Sequence, residues 1–225
     1  MKAVGRATGK EAKKHRLLIT ISRQFASGGA LLGQALARRL GFAYFDREIL
    51  RQAAEQLGQE EAMLAKREER LQGFFEKFVQ PFMYGSPEAA YMPPPIRAGI
   101  DDRALFEAEA EAIRMFAARF DAVIVGRCGF HVLRDEPGLV NVFIHAKAKF
   151  RVEHASEAYG MGPEEAGALV EKTDREREKF VEAMTGIDWA DARNYHIAMD
   201  SGKTGFKTAE EIIVLQVQQV RSRIS

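Results

Sequence analysis

Cysteine is almost absent from this chain of 225 residues, in which Cys128 stands alone. An internal disulfide is therefore excluded, and the five histidines show none of the short spacings that build zinc sites. The sequence also lacks any apolar run of the roughly 18 to 20 residues needed to cross a bilayer, and its N-terminus lacks the apolar core of a signal peptide. These absences predict a protein of the reducing cytoplasm, with no membrane partner.

An excess of one charge sign is missing as well, because 33 basic and 32 acidic side chains leave a net charge of +1. This balance argues against a surface that coats nucleic acid. Basic side chains dominate only residues 1–16, which we predict to be a disordered tail, either a solvated leader or a tether to an anionic partner. Residues 17–225 are long enough to form a single domain with a sizeable core.

Strand and helix patterns alternate along this domain. The apolar run 17–21 reads as a buried parallel strand, leucines at helical spacing follow it up to Gly41, and residues 42–45 form a second strand pattern. Further strands are predicted near 122–125, 139–144 and 195–199, with helices near 101–120, 129–133, 146–159, 163–184 and 208–220. The sequence therefore predicts a three-layer α/β fold around a five-stranded parallel sheet.

Two segments interrupt this rhythm. Residues 147–184 hold two charged helical patterns on either side of a glycine- and proline-containing break, which we interpret as a mobile helical lid. Residues 73–99 mix aromatics with prolines and cannot form one regular helix. Either those aromatic rings pack on their own domain, or they are buried against a second subunit in a homo-oligomer or against a moving cap.

The turn between the first strand and the first helix is a candidate phosphate site. Gly28 and Gly29 would let backbone amides approach an anion at the start of the helix. Compared with the pattern G-x-x-x-x-G-K-[ST], Arg23 stands at the first glycine, Gly29 at the lysine and Ala30 at the hydroxyl residue. A simple glycine turn that joins strand to helix is the alternative. No lysine or arginine follows Arg23 before Arg38, so Arg23 is the local candidate for the missing cation.

Charged residues follow two other strands. Arg127 comes just after the strand 122–125, at an edge where open α/β sheets bind ligands, although a surface salt bridge to a neighbouring carboxylate is the alternative. Asp46 and Arg47 follow the second strand, and Asp46 could equally be a helix cap. Cys128 is predicted to be a small packed residue, because no base is identifiable beside it.

Alternating charges fill residues 171–179 late in the lid pattern. Such a run usually marks a solvated helix face with pairs at i,i+4. The alternative is that Lys172, Arg175 and Lys179, which fall near one helical stripe, converge on a transferring phosphoryl group.

Six segments in a characteristic order resemble the cytidylate kinase-like family: ITISRQFASGG, GFAYFDREIL, VIVGRCG, NVFIHA, KTDRERE and NYHIAMDSG. The resemblance covers residues 17–220 and implies the fold of a P-loop nucleoside monophosphate kinase with an arginine-bearing lid. It departs from the related cytidylate kinases at Gly29 and Leu31, which replace a lysine and a threonine, and at Cys128, which replaces an aspartate.

The resemblance also implies roles for single residues. The ATP phosphates would bind at Ser22, Ser27, Gly28 and Gly29. The acceptor nucleotide would bind at Asp46, Arg47 and Arg127. Phosphoryl transfer would be assisted by Asp174, Arg175 and Arg177, to which we add Arg23, not by the resemblance but as the local candidate for the missing cation.

These roles predict an ATP- and Mg²⁺-dependent kinase of a nucleoside monophosphate, CMP or dCMP by the resemblance, with small-molecule nucleotides as its partners. Two alternatives stay open. The chain could be a nucleotide-binding or interaction module that has lost turnover with the lysine, or a kinase of another small metabolite.

Overall fold

Five parallel strands form the sheet of the computed structural model, which describes residues 15–58 and 102–224. They are β1 (Leu18–Arg23), β2 (Ala43–Phe45), β3 (Ala122–Val125), β4 (Leu139–His145) and β5 (Ile197–Asp200). Their order in the sheet is β2-β3-β1-β4-β5, and each neighbouring pair is parallel. The predicted sheet is confirmed, whereas residues 1–14 of the predicted tail and the segment 73–99 lie outside the described residues.

Helices connect these strands. Within the described residues they are α1 (Gly29–Leu40), α2 (Arg47–Gly58), α3 (Asp102–Arg119), α4 (Gly129–Val132), α5 (Ala148–Tyr159), α6 (Pro163–Thr185), α7 (Ser201–Thr204) and α8 (Phe206–Ile224). A short 3₁₀ helix, Ala192–Asn194, precedes β5. The prediction missed α7, a single turn capped by the Asp200 side chain, because one turn leaves no helical periodicity in the sequence.

Helices cover both faces of the sheet, as the alternation of side chains along β1 requires. Ile21 points to the face where it lies close to Gly33 of α1, whereas Thr20 points to the other face and lies close to Gly129 of α4. The residues of β1 to β4 are almost all buried, whereas β5 at the edge is partly exposed, and the buried strand residues form one core with the inner sides of α1, α3 and α8. The chain therefore has the three-layer architecture that the alternating pattern predicts.

The predicted lid segment forms a helical hairpin. Helix α5 ends at Gly160, whose φ of 65° is left-handed, and α6 begins with Pro163 in its first turn. The two helices pack against each other, so the predicted break is confirmed. No helix in the described part of the chain combines the length and apolar character that crossing a membrane would take.

The carboxyl ends of the strands gather charged residues at one edge of the sheet. Arg23 ends β1, Asp46 follows β2, and Arg127 lies two residues beyond β3. Because β3 lies between β1 and β2, these three residues from distant parts of the sequence become neighbours.

Candidate phosphate-binding site

A tight turn joins the end of β1 to the start of α1. Ala26 and Gly28 adopt left-handed φ values of 57° and 77°, and Gly28 is the N-cap of the helix. A side chain at Gly28 would also overlap the Phe206 ring. The first amides of α1 have no partner within the helix and lie at its positive end, so the turn presents donors suited to an anion.

An open pocket lies over this turn. Its lining includes Arg23, Phe25, Gly28, Gly29, Tyr159 and Arg177. Phe25 and Tyr159 stack with their ring centres 5.8 Å apart, and the Arg177 guanidinium lies 5.6 Å from the centre of the Phe25 ring. The pocket therefore combines a glycine floor, two cationic side chains and an aromatic wall, which suits an anion attached to a larger organic group.

The two serines predicted to bind phosphate are used elsewhere. Ser27 is fully buried, and its hydroxyl lies 2.9 Å from the Gln24 carbonyl and 3.1 Å from the Ile144 carbonyl, where it ties the turn to β4. Ser22 hydrogen-bonds Tyr195, a tyrosine whose pKa burial raises to about 12. Both hydroxyls are therefore engaged within the protein around the turn, and the place of Ser22 and Ser27 in a phosphate-binding loop stays a prediction.

The hairpin of α5 and α6 holds the turn through one carboxylate. Asp174 of α6 accepts a 2.7 Å hydrogen bond from the Phe25 amide and a 2.5 Å charged hydrogen bond from Arg151 of α5. Arg151 also donates to the carbonyl oxygens of Phe25, at 3.3 Å, and Ala146, at 3.0 Å. Because Arg151 and Asp174 are largely buried, this cluster fixes the loop to both α5 and α6.

The two predicted arginines of α6, Arg175 and Arg177, lie on different faces of the helix. Arg177 donates a 3.0 Å hydrogen bond to the carbonyl oxygen of Arg23, at the end of β1. Arg175 instead pairs with Glu171 on the solvent face, and its side chain is 62% exposed. Lys172 and Lys179 are exposed too. The structure therefore favours the solvated-face interpretation for Arg175, and it brings only Asp174 and Arg177 to the loop.

On the opposite side of the loop, Asp46 caps α2. Its carboxylate accepts hydrogen bonds from the amides of Glu48, at 3.1 Å, and Ile49, at 3.2 Å. Burial raises the pKa of Asp46, while these amides and the nearby positive charge of Arg23 oppose that shift. Arg47, the first residue of α2, is half-buried beside it. Asp46 is therefore a helix cap that also faces the arginine of the loop.

Arg127 forms a buried ion pair with Glu109 of α3. The Glu109 side chain is 1% exposed, and the Arg127 guanidinium also lies 4.1 Å from the centre of the Phe180 ring of α6. Burial raises the pKa of Glu109, and Arg127 opposes that shift most strongly. A salt bridge was the alternative for Arg127, and the structure forms it in the interior.

Cys128 is buried next to this pair. Burial raises the pKa of its thiol to about 12, so the thiol stays protonated at neutral pH and is a poor nucleophile. The prediction of a small packed residue is confirmed.

Sequence reasoning missed Arg151 and Glu109, the partners of two predicted site residues. Both carried a signal that could have been used. Arg151 lies one turn before the fully buried Ala155, and Glu109 lies on the stripe of Phe106 and Ile113. A charged residue on the apolar stripe of a helix must find a partner, because an unpaired buried charge is very costly.

The site fits a nucleoside triphosphate better than it fits a resident metal ion. The glycine turn offers amides and space to a phosphate chain. Ala30 and Leu31 supply no hydroxyl in the first turn of α1, and the described residues include no group of three His, Cys, Asp or Glu that could hold a metal. A magnesium ion would therefore have to arrive on the phosphates, largely hydrated.

Comparisons with known proteins agree with this geometry. A family model described as "Cytidylate kinase-like family" matches residues 18–203. A crystal structure of an uncharacterized protein from Eubacterium ventriosum is similar over 90% of this chain and 99% of that one, with a TM-score of 0.66 and 21% identity. At this identity the likeness shows a shared fold.

Weaker likenesses are found among small-molecule kinases. A shikimate kinase from Bacteroides thetaiotaomicron has a TM-score of 0.48 and 12% identity over 90% of this chain and 98% of that one. A gluconokinase from Sinorhizobium meliloti has a TM-score of 0.44 and 16% identity over the same shares. No curated protein matches the chain significantly.

Proposed function

The chain belongs to the cytidylate kinase-like family, and from this premise we propose that it transfers the terminal phosphoryl group of ATP to a nucleoside monophosphate, CMP or dCMP. One observation carries the proposal. The glycine turn at the start of α1 opens into a pocket that Arg23 and Arg177 line from two sides. Such a transfer needs positioning and charge neutralisation, and this arrangement can supply both.

The donor phosphates would lie on Gly28 and Gly29, with the nucleoside extending along the aromatic wall of the pocket. Arg177 would then neutralise phosphate charge while it holds the end of β1 through the Arg23 carbonyl. Asp174 would act as a positioning residue, because its carboxylate is committed to the Phe25 amide and to Arg151.

The acceptor would bind beside the ends of β2 and β3. Arg127 and Arg47 would approach its phosphate there, and Asp46 would meet its polar groups. Arg127 can do this only with the guanidinium edge that the ion pair with Glu109 does not use. The lid hairpin would close over both ligands and exclude water.

Two observations keep rival functions in view. Gly29 and Ala30 stand where a lysine usually neutralises the donor phosphates and a hydroxyl usually binds their magnesium ion, which favours a non-catalytic nucleotide-binding module. Because the Glu109 carboxylate neutralises the charge of Arg127, Arg127 attracts a phosphate less strongly. This weaker attraction favours a small metabolite as acceptor.

A coupled ADP-release assay tests these functions directly. Wild-type protein with Mg-ATP would be offered CMP, dCMP, UMP, AMP and GMP, and then a panel of phosphorylated and unphosphorylated metabolites. We expect turnover with CMP or dCMP, and its loss in Arg177→Ala but not in the matched surface variant Arg39→Ala. Nucleotide binding without turnover would identify the module, and turnover with a metabolite alone would identify the other kinase.

A further inference from the structure

We infer that the positive charge of the phosphate loop has moved from the first turn of the helix to the last residue of the strand, so that Arg23 and Gly29 have exchanged the roles of a glycine and a lysine. The inference rests on the proposed function for its ligand, the phosphate chain of a nucleoside triphosphate. It makes Arg23 a phosphate-binding residue and Gly29 the residue that makes room for it.

The first step is the course of the Arg23 side chain. A Cβ atom placed on Gly29 would lie 2.6 Å from Arg23 Cβ and 3.0 Å from Arg23 Cγ. A Cβ placed on Gly126 would overlap the Arg23 guanidinium. The side chain therefore starts against one glycine and ends against another, and a side chain at either position would displace it.

The second step is the reason why residue 29 is glycine. Gly28 has a left-handed φ of 77°, so its backbone alone favours glycine. Gly29 is different, because it is the first residue of α1 and has no positive φ. Many residue types could adopt its conformation, and several form helices better. What excludes them is the stem of Arg23, which occupies the space that a side chain at this position would need.

The third step is the location of the charge. The guanidinium reaches the end of β3 at Gly126. Its charge offsets part of the rise in the pKa of Asp46 that burial causes. Since β3 lies between β1 and β2, the cation stands between the donor turn and the acceptor side. A terminal phosphoryl group must pass this point, and the planar fork of arginine can bind two of its oxygens at once.

The steric part can be tested without any ligand. We would measure urea unfolding of wild type, Gly29→Ala, Arg23→Gly and the double variant. Gly29→Ala should destabilise the wild type and should be neutral or stabilising in the Arg23→Gly background, because alanine forms helices better than glycine once the space is free. If Gly29→Ala changed the free energy of unfolding equally in both backgrounds, the inferred exchange of roles between Arg23 and Gly29 would be wrong.

The electrostatic part uses ATP binding, measured by titration calorimetry with and without Mg²⁺. Arg23→Ala should weaken binding about 100-fold, as expected for a lost charged contact in a closed site. Gly29→Lys alone should also bind poorly, because the lysine collides with Arg23. The double variant Arg23→Gly with Gly29→Lys should recover binding to within about tenfold of wild type, which corresponds to about 1.4 kcal/mol.

Gly162→Lys is the matched control, because it adds a lysine where nothing lies within 4 Å of a Cβ. It should bind ATP like wild type. Wild-type affinity in Arg23→Ala, or no recovery in a folded double variant, would overturn the inference while leaving the proposed kinase intact. No ATP binding by the wild type would instead reject the proposed function, and with it the phosphate role of Arg23.

Discussion

Two faces of helix α6 carry nearly the same chemistry and differ in what surrounds it. On the solvent face, Arg175 and Glu171 lie 3.2 Å apart, with side chains that are 62% and 71% exposed. On the loop face, Arg177 and Asp174 lie farther apart, at 3.9 Å, yet their side chains are only 19% and 16% exposed. The closer pair is the weaker candidate for function, because water screens it on all sides.

The loop-facing pair matters because each member binds something else. Asp174 accepts from the Phe25 amide and from Arg151, and Arg177 donates to the Arg23 carbonyl. The same face continues to Phe180, which packs on Arg127. One side of a single helix therefore reaches both the glycine turn and the Arg127–Glu109 pair.

The largest effect should come from Asp174→Ala. It leaves Arg151 buried without its carboxylate and the Phe25 amide without an acceptor, which should cost about 3 to 5 kcal/mol of unfolding free energy. Glu171→Ala, on the solvent face of the same helix, should stay within about 0.5 kcal/mol of wild type. Urea denaturation followed by circular dichroism measures both. Similar losses in the two variants would contradict the difference between the faces.

Arg127→Ala should have the next largest effect and lower the free energy of unfolding by about 3 kcal/mol, because it leaves the buried Glu109 carboxylate without its cationic partner. Glu109 can relieve part of this cost by taking up a proton, since burial already raises its pKa. The deficit should therefore shrink as the pH falls and should be smaller in Arg127→Ala with Glu109→Gln. In the kinase assay, Arg127→Ala should chiefly raise the KM for the acceptor.

A deficit that does not change with pH would mean that lost packing on Phe180, rather than a stranded charge, explains the cost of Arg127→Ala. Phe180→Leu is the companion variant, because it removes the ring under the guanidinium and keeps an apolar side chain.

Arg177→Ala should have a moderate effect, about 1 to 2 kcal/mol in ATP binding, because it removes a charged donor and a wall of the pocket. Arg175→Ala is its control two residues away and should change neither ATP affinity nor turnover. Titration calorimetry with ATP compares the two. If Arg175→Ala lost as much ATP affinity as Arg177→Ala, the solvent-facing charges of α6 would have to take part in ATP binding as well.

The smallest expected effect is on the stability that a helix cap contributes. Two capping aspartates differ in how strongly burial acts on their pKa. Asp191 caps the 3₁₀ helix with a side chain that is 24% exposed, and hydrogen bonds from Arg193 lower its pKa. Asp46 caps α2 in the interior, and burial raises its pKa above 3.8. A raised folded-state pKa gives Asp46 a stabilising contribution that is present below pH 3.8 and is lost as the pH rises through the folded-state pKa.

Asp46→Asn should therefore be as stable as wild type or slightly more stable at pH 7, since asparagine also caps helices well. That advantage should disappear as the pH approaches 3.8. Thermal unfolding across this pH range measures it, and a variant clearly less stable than wild type at pH 7 would show that ionised Asp46 supports the fold. Weaker acceptor binding in the same variant would place Asp46 in the site.

The sequence predicted the fold well because its signals are local. Each strand is a short apolar run, and each long helix has its own apolar stripe, so the bounds of α3, β3 and α6 were predicted within one or two residues. Roles within the site were harder to predict. Ser27 looks like a phosphate ligand in the sequence, yet its hydroxyl ties the turn to β4.

The sequence by itself therefore determined the succession of strands and helices along the chain, the glycine turn, and the lack of a lysine near that turn. Periodicity and turn chemistry act over a few residues, and they can be read without knowing what lies across the sheet. The tertiary structure decided which charges are shared. Arg151 reaches Asp174 across 23 residues, Glu109 reaches Arg127 across 18, and Arg23 runs over Gly29 to Gly126. Burial makes each pairing matter, because a charge without water needs a partner that only the folded chain can bring to it.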